Sequence, residues 1–99
     1  MITYLKDEML DDLLEGKRVV VDFYADWCMP CNMLGEMIES VVNDNKDINV
    51  VKINVDEHPE IAGSYGVMSI PYLVLFDDKK IIKKQIGLME EDEFLEWLK

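Results

Sequence analysis

The chain has 99 residues, enough for one domain spanning 1–99 and too few for a second core. With 49% apolar and 31% charged residues it reads as an ordinary globular sequence, neither disordered nor fibrous. A net charge of −11 repels phosphate backbones and anionic lipid, and no apolar run approaches the ~20 residues of a membrane span, so nucleic-acid and membrane roles are disfavoured.

The opening, Met1-Ile2-Thr3-Tyr4-Leu5-Lys6-Asp7, has no basic n-region, apolar h-region or small-residue cleavage site. We therefore expect a cytoplasmic protein. Ile2 to Leu5 is predicted as an edge strand, followed by a helix that places Met9, Leu10, Leu13 and Leu14 on one face and stops at Gly16. The run Val19-Val20-Val21-Asp22-Phe23-Tyr24-Ala25 reads as a strand covered on both faces. After Trp27-Cys28-Met29-Pro30-Cys31 a second helix carries the stripe Leu34, Met37, Ile38, Val41 and Val42, with Asn32, Glu36, Glu39 and Asn43 toward water.

Ile48 to Val55 is a further central strand, and Glu57 to Tyr65 a short helix closed by Gly66. Tyr72 to Phe76 and Ile81 to Ile86 form an antiparallel hairpin around Asp77-Asp78-Lys79-Lys80. Met89 to Lys99 is a last helix, with Phe94, Leu95 and Leu98 inward. The order β-α-β-α-β-α-β-β-α implies an α/β fold, with parallel crossovers, an antiparallel edge and helices on both faces.

Cys28 and Cys31 are the only cysteines. Three chemistries compete for them. A structural disulfide closing so small a loop stabilises by only about 2 kcal/mol, and a reducing compartment would open it. A zinc site needs about four ligands, and the one histidine, His58, stands alone on a polar, proline-containing segment that reads as surface. A redox dithiol fits spacing and placement. The pair lies where a strand hands over to a helix, whose free N–H groups and dipole favour a thiolate at the first cysteine. Pro30 suits the first helical turn, where no N–H is needed.

The segment Val21-Asp22-Phe23-Tyr24-Ala25-Asp26-Trp27-Cys28-Met29-Pro30-Cys31 resembles the active-site stretch of the thioredoxin family, V-D-F-W-A-x-W-C-G-P-C. Val51-Lys52-Ile53-Asn54-Val55-Asp56, Tyr65-Gly66-Val67-Met68-Ser69-Ile70-Pro71 and Ile86-Gly87 match in order and spacing, so the resemblance covers nearly the whole chain. It implies a thioredoxin fold with a central mixed sheet of four to five strands between helices. It implies a protein-disulfide reductase that needs no cofactor or metal. Its partners would be disulfide-containing proteins and a thioredoxin reductase or equivalent electron donor, and the chain would act as a monomer.

The resemblance assigns the roles. Cys28 attacks a substrate disulfide, and Cys31 resolves the mixed disulfide. Asp22, a carboxylate in an apolar strand, is costly when ionised and unpaired, so burial should raise its pKa. In the family it lies beneath the cysteines and helps deprotonate the second one, and Lys52 matches a buried lysine that interacts with it. A solvated Asp22 at a strand end and a snorkelling Lys52 are the plainer readings of the residues alone. Only about 5–6% of X–Pro bonds in folded proteins are cis, yet the resemblance implies a cis Pro71 against the disulfide, with the Ile70 backbone free to pair with substrate. Trp27, Met29, Val55, Ile70, Ile86 and Gly87 would form an apolar substrate-binding rim, with core packing the rival reading for the aliphatic ones. Met9, Met33, Met37, Met68 and Met89 read as gap fillers or surface residues.

Several positions depart from the family pattern. Met29 replaces a glycine, Glu36 a helix-kinking proline, Tyr24 a tryptophan, Asn32 a basic residue and Ser69 a glycine. None of these removes a catalytic group. Two other functions remain open on the sequence: an electron donor, thioredoxin-like or glutaredoxin-like, dedicated to one partner, and a binding module that uses the fold as a scaffold.

Overall fold

The computed structural model describes residues 1–99. Five strands, β1 (Ile2–Tyr4), β2 (Arg18–Tyr24), β3 (Asn49–Asn54), β4 (Tyr72–Asp77) and β5 (Lys80–Ile86), form one sheet in the order β1-β3-β2-β4-β5. β3 runs parallel to both β1 and β2, while β2–β4 and β4–β5 are antiparallel. This is the mixed sheet expected of the thioredoxin fold. The helices are α1 (Leu10–Leu14), α2 (Met29–Asp44), α3 (Pro59–Ser64) and α4 (Glu91–Trp97). None is long and apolar enough to cross a membrane.

Strand periodicity sorts the central residues into two cores. Val19, Val21 and Phe23 of β2 meet Leu10 and Leu14 of α1 and Ala62 of α3 on one face. Val20 meets Leu34, Ile38, Val41 and Val42 of α2 and Phe94 of α4 on the other. Val51 and Ile53 join the first core and Val50 the second; Leu73 and Leu75 of β4 also face α2 and α4. By the same alternation Asp22 and Lys52, which are register partners across β2 and β3, project into the α2 layer. The site's charged pair is therefore a consequence of strand parity.

Met9 is an exposed N-cap and not part of the buried face of α1. In α4 the inward set is Phe94, Trp97 and Leu98, because positions three and four apart share a helix face; Leu95 points outward. Met89 is buried in the second core. α3 is shorter than predicted, and Gly66 follows it at φ +67, a conformation that suits glycine. His58 is half-buried, its Nε2 hydrogen-bonded with the Leu5 carbonyl at 3.0 Å, so it ties the start of α3 to the end of β1. The hairpin loop contracts to Asp78-Lys79, since Asp77 and Lys80 pair. The Gly16 N–H donates to the Asp78 carboxylate at 2.7 Å, and the Asp78 N–H to the Lys17 carbonyl at 2.8 Å, which docks the hairpin tip on the α1–β2 turn.

Candidate active site

β2 ends at Tyr24, and the turn Ala25-Asp26-Trp27 delivers Cys28 as the N-cap of α2. The Cys28 N–H donates to the Ala25 carbonyl at 3.2 Å, while the Cys28 carbonyl accepts from the Asn32 N–H at 3.1 Å, the first bond of the helix. Pro30 occupies the first turn, where the missing N–H has no partner to lose. Cys28 Sγ accepts from the Cys31 N–H at 3.3 Å and so caps the helix. Its sulfur sits where a negative charge is stabilised by helix N–H groups.

Cys28 and Cys31 are joined in a disulfide with a Cα–Cα separation of 5.2 Å. Both residues are buried, Cys31 more deeply (5% and 2% exposed). Ala25 packs with them, and Tyr24, Val55 and Ile70 close round the cluster. Cys28 Sγ lies 3.9 Å from the Ile70 carbonyl oxygen, and the Ile70–Pro71 peptide is cis. The Gly87 N–H donates to the Pro71 carbonyl at 2.9 Å, so the end of β5 supports the loop that faces the sulfurs.

Asp22 is 1% exposed, and neither carboxylate oxygen has a hydrogen-bond partner. The Lys52 ammonium approaches Oδ2 to 3.7 Å, an ion pair longer than a hydrogen bond. Burial pushes the Asp22 carboxyl up from 3.8 to about 6, while Lys52 pulls the other way. The carboxyl thus holds its proton well above the usual carboxylate range. Lys52 does not snorkel out: its Nζ lies 4.6 Å from the Tyr24 ring centroid and 5.6 Å from that of Tyr4.

The other rim residues divide into three places. Trp27, Val55 and Ile70 share a groove with Val67, Met68 and Ser69. Trp27 is 72% exposed there, with its indole N–H donating to the Asp56 carboxylate at 2.9 Å. Met29 lies instead on a cleft that also holds Tyr24, Asp26 and Lys52. Ile86 is exposed opposite Tyr72, and Gly87 meets Pro71; neither lines the groove. No three histidine, cysteine or acidic side chains converge to hold a metal.

Met68 is a surface residue, 96% exposed, and the structure adds that it lines the groove with Trp27, Val55 and Ile70. The place of Met68 directly before Ser69-Ile70-Pro71 is the sequence signal for that position. Sequence reasoning misses Asp56 as the partner of Trp27, and the two tyrosines round Lys52, which come from separate strands and leave no local trace.

The comparisons with known proteins agree with this geometry. The profile of the family described as Thioredoxin matches residues 1–99. A thioredoxin of Mycoplasmoides gallisepticum is 47% identical over 91 residues, 91% of each chain. Among solved structures, a mutant thioredoxin from Halobacterium salinarum NRC-1 superposes with a TM-score of 0.88 at 38% identity, over 98% of this chain and 87% of that one. The oxidised mitochondrial thioredoxin 3 of Saccharomyces cerevisiae does so with a TM-score of 0.85 at 32% identity, over 98% and 92%.

Proposed function

The chain belongs to the thioredoxin family and is a thiol–disulfide oxidoreductase, and from that premise we propose how its residues divide the reaction. Cys28, as a thiolate at the N-cap of α2, attacks one sulfur of a substrate disulfide and expels the other as a thiolate. Cys31 then loses its proton and attacks Cys28 Sγ. The Cys28–Cys31 disulfide forms, the substrate leaves as a dithiol, and two electrons have passed from this chain to it. The observation that carries the reading is the first sulfur capping α2 with the second one turn on, already joined to it.

Asp22 accepts the Cys31 proton, and Lys52 tunes how readily it does so. The Ile70 backbone beside Cys28 pairs with an extended substrate segment, as in strand addition, while Trp27, Val55, Ile70 and Met68 receive its apolar side chains. Met29 contacts substrate from the other side of Cys28. Pro71, Ile86 and Gly87 hold the Ile70 loop in position. The clients are disulfide-bearing proteins, a reductase restores the dithiol, and the chain works as a monomer in the cytoplasm.

The test is capture of mixed disulfides on a Cys31→Ser variant. A varied set of clients, together with reduction of an unrelated protein disulfide by the native chain, supports a general reductase. A single captured client, with unrelated disulfides ignored, identifies a dedicated donor instead. Undiminished biological function of a Cys28→Ser, Cys31→Ser double variant would make the fold a binding scaffold.

A further inference from the structure

Gly35 stands in the interior of α2, a 16-residue helix, and is buried. Glycine is the poorest helix former apart from proline, so a buried glycine there points to a space requirement. A Cβ built on Gly35 would lie 3.0 Å from Lys52 Nζ, which is tighter than ordinary van der Waals contact. The ammonium is hemmed in by Asp22 Oδ2 at 3.7 Å and by the Tyr24 and Tyr4 rings. The remaining open side is a solvent cleft bordered by Met29, Asn32 and Gly35. Asp22 does not border this cleft, whereas Lys52 does.

We propose that Gly35 is a positioning residue for the Asp22–Lys52 pair: the Cβ it lacks is the space in which the Lys52 ammonium stands between the buried carboxylate and the open cleft. The inference rests on the proton role given to Asp22 above and adds what holds that role in place. A methyl group at position 35 crowds the ammonium at 3.0 Å and so disturbs its 3.7 Å approach to Asp22 Oδ2. The carboxylate then loses part of its attraction and holds its proton to higher pH. Tyr4 from β1, Tyr24 and Asp26 from β2 and the turn after it, and Glu36 and Glu39 from α2 face the same cleft. They are common to every variant compared, so their charges cancel in the differences.

The experiment follows the Asp22 carboxyl by 13C NMR in the disulfide form of Gly35→Ala, of Lys52→Met and of the two combined. The expected result is a midpoint raised by about half a pH unit in Gly35→Ala, a larger rise in Lys52→Met, and no further rise when Gly35→Ala is added to it. Gly63→Ala, in α3 where a Cβ meets nothing within 4 Å, should leave the midpoint unmoved. An unchanged midpoint in a folded Gly35→Ala, or the same increment with and without Lys52, overturns the proposal. The pH profile of mixed-disulfide resolution separates the two readings. If the midpoint moves and that profile does not, the positioning role stands and the proton role of Asp22 is what fails.

Discussion

Lys52 Nζ stands 3.7 Å from Asp22 Oδ2 across the β2–β3 pairing, close enough to attract the carboxylate and too far to hydrogen-bond it. Burial therefore wins, and the Asp22 carboxyl lies at about 6 instead of 3.8. Because the folded value is the higher one, this group's contribution to stability is complete below about pH 3.8 and is lost as pH rises through about 6. The gap of about two pH units corresponds to about 3 kcal/mol. Asp22→Asn mimics the protonated form, so it should be more stable than the native chain by about 1–3 kcal/mol at pH 7, and the difference should vanish near pH 4. Urea unfolding of the two disulfide forms at pH 4, 5.5 and 7 measures this; parallel pH dependences would contradict it.

In the reduced protein the two thiols should differ in reactivity. Cys28 caps α2 and neighbours the surface, whereas Cys31 lies deeper. Iodoacetamide at pH 7 is expected to alkylate Cys28 about ten times faster than a free peptide cysteine, and Cys31 more slowly. Mass-spectrometric time courses give both rates. A Cys28 rate equal to the peptide's would remove the basis of the mechanism.

Met29 is 71% exposed at the first position of α2, beside Cys28. An apolar side chain in place of glycine next to Cys28 is expected to limit hydration of a thiolate and so to disfavour the dithiol form. Met29→Gly should raise the reduction potential by about 10–30 mV, on the order of 1 kcal/mol. The native potential should be closer to the roughly −270 mV characteristic of thioredoxin itself than to the −120 mV or so of a strong oxidant. Equilibration of both proteins against glutathione tests the two statements together, and superimposed titrations would rule out the first.

Met68 is 96% exposed, so replacing it costs no packing. Met68→Glu should leave stability within about 0.5 kcal/mol of the native value. It should lower kcat/KM for a protein disulfide about tenfold, equivalent to about 1.4 kcal/mol. A small aromatic disulfide, which reaches Cys28 without filling the groove, should be reduced at the native rate. Equal losses on both substrates would place Met68 outside the binding surface.

The β4–β5 loop has Asp78 at φ 46 and Lys79 at φ 72, a two-residue turn of the kind that favours glycine at its second position. Lys79 pairs with Asp11 at 3.2 Å and Glu15 at 3.8 Å, but exposed pairs contribute little. Relief of the left-handed backbone should outweigh them, so Lys79→Gly is expected to raise Tm by about 2 °C. Asp78→Gly removes the carboxylate that accepts from the Gly16 N–H and should lower Tm. Thermal melts of the two variants should therefore move in opposite directions.

Local chemistry carried much of the outcome. The run Val19 to Tyr24, the stripe Leu34-Ile38-Val41-Val42 and the Cys28-x-x-Cys31 pair at a strand–helix junction each depend on neighbours a few residues away, and each lies where the pattern places it. The helix face that includes Leu95 and the observed one that includes Trp97 differ by two positions round α4, and only packing against Phe94 and the sheet selects between them. Met9 lies outside the buried face of α1 for a similar reason, since a helix five residues long presents too little periodicity to fix its ends.

The sequence by itself determined the alternation of strands and helices, the two apolar faces and the identity of the reacting sulfurs, because these follow from periodicity and from groups within one helical turn. Only the tertiary structure fixed how Lys52 stands between Asp22 and an open cleft, that the Ile70 carbonyl faces Cys28 across 42 residues of chain, and that Gly35 makes room for an ammonium group from β3. Each of those contacts joins separate elements, and a buried charge is set by what surrounds it in space, which no short stretch of sequence contains.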